Sequence, residues 1–136
     1  MLMVILEVAH VIIESVGFTS RREGRTELQT ALSFLLGPTR VESGCLACHL
    51  YQDVGNSNRF HFECTWKTEE HLIRHLRSEI FRRILILMEL SAEPPSVQFH
   101  TVLETRGMEV IHAARREERV QLSDDPIFGV LGEGPP

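Results

Sequence analysis

The residues with most chemistry to offer in this 136-residue chain are its seven histidines, three cysteines and single tryptophan. His71 and His75 stand four apart in a stretch of helical periodicity, a spacing that aims two imidazoles at one face. No glutamate of the His-Glu-x-x-His kind lies between them and no third ligand is in evidence, so no metal is expected there. His75 lies beside Leu72 and Leu76, at the border of an apolar stripe. A half-buried imidazole in such a place titrates near neutral pH and can serve as a general base or as a polar anchor. Trp66 is expected to anchor the core and to form one wall of a pocket.

Cys45-Leu-Ala-Cys48 has the spacing of a redox or zinc pair. In a regular strand, residues three apart point to opposite faces, so the two thiols are expected to part. With an odd number of cysteines, buried reduced thiols are the expected state. His49, His61 and His100 fall on three different strands, where aligned registry would gather them into a polar patch. Tyr51, the only tyrosine, is a candidate for a hydrogen bond to a ligand.

These residues are positioned by elements that the periodicity marks out. Residues 3–17 are rich in Val and Ile and predict a long strand whose first part forms an arm. Ile12, Glu14, Val16 and Phe18 share one face of it. Leu28, Ala31, Leu32 and Leu35 predict an amphipathic helix over about 23–36, stopped by Gly37-Pro38. Strands follow at about 45–53 and 59–67, the second with Phe60, Phe62, Cys64 and Trp66 on one face. Thr68 then caps a helix that is re-capped at Ser78, and Pro94-Pro95 ends it. A fourth strand at about 96–105 and a short helix at about 108–119 complete the chain.

The order is the split βαβ plan: α+β, a ferredoxin-like βαββαβ domain with a four-stranded antiparallel sheet covered on one face by helices. One domain over residues 1–119 is expected, its core at about 11–106, with a loose tail over 120–136. The strands are apolar on both sides in places, Leu46 and Leu50 against Ala47 and Tyr51. The bare face is therefore expected to meet a second copy, giving a homodimer with an eight-stranded barrel across its two-fold axis.

The formal charge of −5, with basic residues scattered along the chain, argues against a nucleic-acid partner. The apolar N-terminus is interrupted by Glu7 and His10 and is too short to span a membrane. It has neither a basic leader nor a small-residue cleavage site, so a cytoplasmic protein is expected.

Several motifs together resemble the antibiotic biosynthesis monooxygenase (ABM) family of dimeric α+β barrel proteins. They are Gly44-Cys45, Tyr51-Gln-Asp53, Trp66, Glu69-Glu-His-Leu72, and His75-Leu-Arg-Ser78 with Phe81. The resemblance covers roughly residues 11–106. It implies an oxidoreductase that oxygenates a quinol-like or other small aromatic molecule with molecular oxygen and no cofactor. An electron-rich phenolate can itself reduce oxygen once its proton is removed and the anion is held in a dry pocket. The resemblance makes His75 and Trp66 the catalytic candidates, with Phe62, Leu72, Tyr51 and Arg82 or Arg83 around the substrate. Anthrone-oxidising members carry Asn and Tyr where Phe62 and Leu72 stand. Haem-degrading members carry Trp and an iron-binding His where His75 and Leu85 stand, which excludes haem. The alternative reading is a non-catalytic small-molecule-binding dimer of the same fold.

Overall fold

A computed structural model describes the backbone of residues 9–122 and the side chains of residues 9–116. The expected N-terminal arm, over residues 1–8, and the tail beyond 122 lie outside the described residues. The element order is β1 (Val11–Thr19), a 3-10 turn (Arg22–Gly24), α1 (Arg25–Arg40), β2 (Cys45–Gln52), β3 (Arg59–Trp66), α2 (Glu69–Leu76), α3 (Glu79–Glu89), β4 (Ser96–Val102) and α4 (Met108–Leu122). The four strands form one antiparallel sheet in the order β2-β3-β1-β4, the expected ferredoxin-like α+β arrangement. The chain parts into two compact units between Leu103 and Glu104, so the sheet and α1 to α3 belong to one unit and α4 to the other.

The alternation in β1 and β3 sets the core. Ile12, Val16 and Phe18 pack with Phe60, Phe62, Cys64 and Trp66 on one face of the sheet, under Leu28, Leu32 and Leu35 of α1, Leu72 of α2, and Phe81 and Ile84 of α3. The predicted caps are present. Thr68 Oγ1 accepts from the His71 amide at 3.2 Å, and Ser78 Oγ accepts from the Phe81 amide at 3.2 Å, which starts α3 as a separate helix.

Two expectations are corrected. Helix α1 does not stop at Gly37-Pro38 but runs on to Arg40, with Pro38 inside its last turn. Pro38 removes the amide that would meet the Phe34 carbonyl, on a side of the helix where Phe34 itself is exposed. Thr39 is buried and its hydroxyl donates to the Leu35 carbonyl at 2.6 Å, which ties the last turn to the core. Second, Cys45 and Cys48 are not on opposite faces. Cys45 pairs with Trp66 and Ala47 with Thr65, so Leu46 is an extra residue in a β-bulge that shifts the parity of the strand. Cys45 and Cys48 thus share the core-side face, where Cys48 meets Cys64 thiol to thiol.

Gly44, just before the bulge, has φ of 81°, and a Cβ there would collide with the His71 ring. Both constraints are met only by glycine. Gly44→Ala is expected to destabilise the fold by about 1–3 kcal/mol, read as a lower urea midpoint. A second substitution, His71→Ala, should remove only the clash with the ring, because the Cβ that alanine keeps also lies at colliding distance. Little of that loss should therefore be recovered, and the backbone strain remains.

Candidate active site

Four side chains from four segments converge in the core. Glu14 stands in the middle of β1, opposite Cys64 of β3, on the same face as Ile12 and Val16. Trp66 ends β3 and pairs with Ile12. The Thr68 cap fixes the phase of α2, which turns Leu72 and His75 inward and leaves Ile73 and Arg74 outside. Beyond α1, the Glu42 amide donates to the Thr39 carbonyl at 3.1 Å, and this turn carries the Glu42 carboxylate to the His75 ring.

The geometry is close. Glu14 Oε1 accepts from Trp66 Nε1–H at 2.9 Å and lies 3.3 Å from His75 Nε2. His75 Nδ1 is 2.8 Å from Glu42 Oε2. The His75 ring stacks on the Trp66 indole with centroids 4.4 Å apart and planes 28° apart, and Phe81 meets its edge at 5.4 Å. Glu14 is fully buried and His75 is 1% exposed, whereas the Glu42 side chain keeps 19% exposure. The Nε2 approach is short for an ion pair but too poorly aligned for a hydrogen bond. His75 Nε2 is therefore buried without a hydrogen-bond partner, and so, independently, is the second oxygen of the carboxylate, Glu14 Oε2.

Burial by itself pulls the His75 pKa down, but the nearby carboxylate of Glu14, with the charge and hydrogen bond of Glu42, outweighs it and holds the value above the ordinary 6.5. The thiols beside the site move the other way from reactivity. Burial, with Cys48 and Glu42 nearby, pushes Cys45 up to about 11, and the contact with Cys48 together with burial raises Cys64 well above the ordinary thiol range. Both are inert neutral thiols at neutral pH.

The structure brings together only part of the set picked from the sequence. His75, Trp66, Phe62 and Leu72 are all buried in the shared core. Tyr51 pairs with His61 on the opposite face of the sheet and is 49% exposed, so it does not reach His75. Arg82 and Arg83 point outward from α3, because the helix turns Phe81 and Ile84 inward; Arg82 instead faces Glu79 at 3.7 Å. His49, His61 and His100 share that opposite face but occupy three different rows of the ladder. His71 Nδ1 is 2.6 Å from Thr68 Oγ1 while His75 sits between its carboxylates, so the two imidazoles serve separate partners. A groove of about 720 Å³ lies between α1 and α3, lined by Arg21, Glu27, Leu28, Ala31, Leu87 and Leu90, away from His75. The two residues missed by sequence reasoning are Glu14 and Glu42. Glu14 left one signal, a lone carboxylate in the apolar alternation of β1; Glu42 left none.

A family model described as antibiotic biosynthesis monooxygenase matches residues 12–85. That is more than half of the chain, and the chain belongs to this family. No curated protein matches it. Among solved structures it is similar to a candidate antibiotic biosynthesis monooxygenase of Deinococcus radiodurans, with a TM-score of 0.65 and 20% identity over 71% of this chain and 96% of that one. It is also similar to a Pseudomonas aeruginosa protein, with a TM-score of 0.63 and 25% identity over 71% and 97% of the two chains. A Nitrosomonas europaea candidate of the same family gives a TM-score of 0.64 and 16% identity over 74% and 97%. Among the described residues no helix is long and apolar enough to cross a membrane.

The raised His75 value ties stability to pH with a defined sign. Folding gains from His75 in full below its unfolded value of about 6.5, and the gain is lost as pH rises through the higher folded-state value. Urea denaturation across pH should therefore show wild type losing its advantage over His75→Gln on the alkaline side. An advantage that grows with pH would contradict the assignment.

Proposed function

We propose that this chain is a cofactor-independent monooxygenase acting on a quinol-like or other small aromatic hydroxyl compound. The observation that carries the reading is the buried Glu14–His75–Glu42 set against the Trp66 indole, inside an ABM-family core. In such a reaction one oxygen atom of O2 is inserted at a ring C–H of the quinol as a hydroxyl. The second oxygen leaves as water with the two hydrogens of the quinol hydroxyls, giving a hydroxyquinone. On an anthrone the ring methylene instead gives up both its hydrogens to that water and becomes a carbonyl. The protein's share is to take the hydroxyl proton, to hold the electron-rich anion and to keep solvent out. Glu42, the one member of the set with solvent exposure, gives the proton a way out. Phe62 and Leu72, buried beside the set, supply apolar walls.

A homodimer forms part of the proposal. The sheet face opposite the helices carries Ile13, Ala47 and Thr65, half-buried, with His49 and Tyr51 more exposed. A second copy is the occupant that the family resemblance implies. A second reading, a non-catalytic small-molecule-binding dimer, is favoured by one observation: His75 and Glu14 are both sealed from solvent, so chemistry there requires the helices to open.

Oxygen uptake by purified, metal-stripped protein on a panel of quinols and anthrones separates the two. The oxygenase predicts protein-dependent uptake that falls about 10²–10⁴-fold in His75→Ala. Binding of a panel compound without uptake on any of them would instead establish the binder.

A further inference from the structure

His75 is the only group in the molecule whose two ring nitrogens both face carboxylate oxygens, Nδ1 toward Glu42 Oε2 at 2.8 Å and Nε2 toward Glu14 Oε1 at 3.3 Å, among the described residues. A bare nitrogen lone pair close to a carboxylate oxygen in a dry core is repulsive, so the Nδ1 approach requires a proton between the two atoms. The Nε2 approach, within ion-pair range though not aligned as a hydrogen bond, favours a proton on one of its two partners. Three arrangements supply them. In one, both protons are on the ring. In the other two the ring is neutral and one proton sits on a carboxylate, Glu14 Oε1 or Glu42 Oε2; the Glu42 side chain keeps 19% exposure to water, which solvates a charge there.

The surroundings favour the first. Glu14 Oε1 already accepts from Trp66 Nε1–H, and a donor aimed at this oxygen stabilises it as an acceptor rather than as a hydroxyl. The ring lies over the indole face at 4.4 Å, the position in which a cation is attracted by the indole quadrupole. The other titratable groups packed here are the thiols of Cys45 and Cys48 on β2 and Cys64 on β3; with Cys45 and Cys64 held neutral, the two carboxylates are the charges that face the ring among the described residues.

We infer that Glu14 is the positioning residue of this site, holding His75 as an imidazolium between itself and Glu42, so that the ring offers a fixed positive charge and a donatable proton instead of a basic nitrogen. This rests on the oxygenase reading for its purpose and deepens it: the anion formed from the substrate would be met by the imidazolium. The acceptor of the substrate proton then becomes a carboxylate, and Glu14 Oε2, buried and without a partner, is the atom placed for it. The direction of proton flow through the set is the reverse of that in a histidine-base site.

The test needs no substrate, so its failure and that of the oxygenase reading are separable. Nitrogen-detected NMR of the histidine-labelled full chain at about pH 7.5 reads the His75 ring directly, at a pH where an ordinary histidine is mostly neutral. Wild type is expected to show both ring nitrogens protonated. Glu14→Gln, close to isosteric, should move the ring titration to lower pH and shift the Trp66 indole N–H resonance. Glu42→Gln should lower the ring titration while leaving the indole resonance in place, and it tests the assignment even where Glu14→Gln fails to fold. A wild-type ring with one unprotonated nitrogen at that pH would overturn the inference, as would a His75 titration that neither substitution moves. A merely structural carboxylate would change stability without moving the ring's protonation.

Discussion

The constraint on which the rest of this structure depends is a carboxylate at the centre of the sheet. Glu14 is fully enclosed, in a row of the sheet that otherwise holds Phe99, Cys64 and Cys48. Taking a carboxylate out of water costs several kcal/mol unless partners answer it. The partners come from far along the chain: an indole N–H from the end of β3 and an imidazole from α2, itself tied to a turn after α1. The Thr68 cap, the last turn of α1 through Thr39, and the Gly44 turn each hold one of these donors or its support in place. Losing a single partner leaves a buried charge unanswered, which is why a modest domain is organised so tightly around one side chain.

The fold was legible because it rests on periodicity. Alternation in β1 and β3, the helical spacing in α1 to α3, and the hydroxyl caps at Thr68 and Ser78 are local signals that tertiary contacts reinforced. Two local rules were overridden. Pro38 is tolerated because it falls in the last turn, on an exposed side, with Thr39 pinned behind it. The parity of Cys45 and Cys48 failed because a bulge is an insertion in the ladder, invisible until the partner strand is known.

The site was half legible. His75 and Trp66 stood out by type and by family likeness, but the sequence says which face a residue takes, not which residue waits across the core. Glu42 lies in a turn, 33 positions from His75, and only the packing of α1 against β2 brings them together. Arg82 and Arg83 could have been set aside from the helix alone, since Phe81 and Ile84 claim the inward phase. Where anthrone-oxidising relatives place Asn and Tyr, this core has Phe62 and Leu72, and its polarity enters from β1 and the α1–β2 turn instead. Relatives at 16–25% identity share the architecture, while the chemistry belongs to whichever side chains each core admits.

The extra residue at Leu46 has a further consequence, for how the sheet can grow. Among the described residues β2 is an outer strand of the order β2-β3-β1-β4, so one of its sides has no neighbour. A long, regular outer strand is a template on which another chain's backbone can lay itself down. The bulge bends that edge and breaks its repeat near the start of the strand, so incoming backbone cannot follow it in register. The irregularity that turns Cys45 inward thus also guards the β2 edge of the sheet against lateral strand addition.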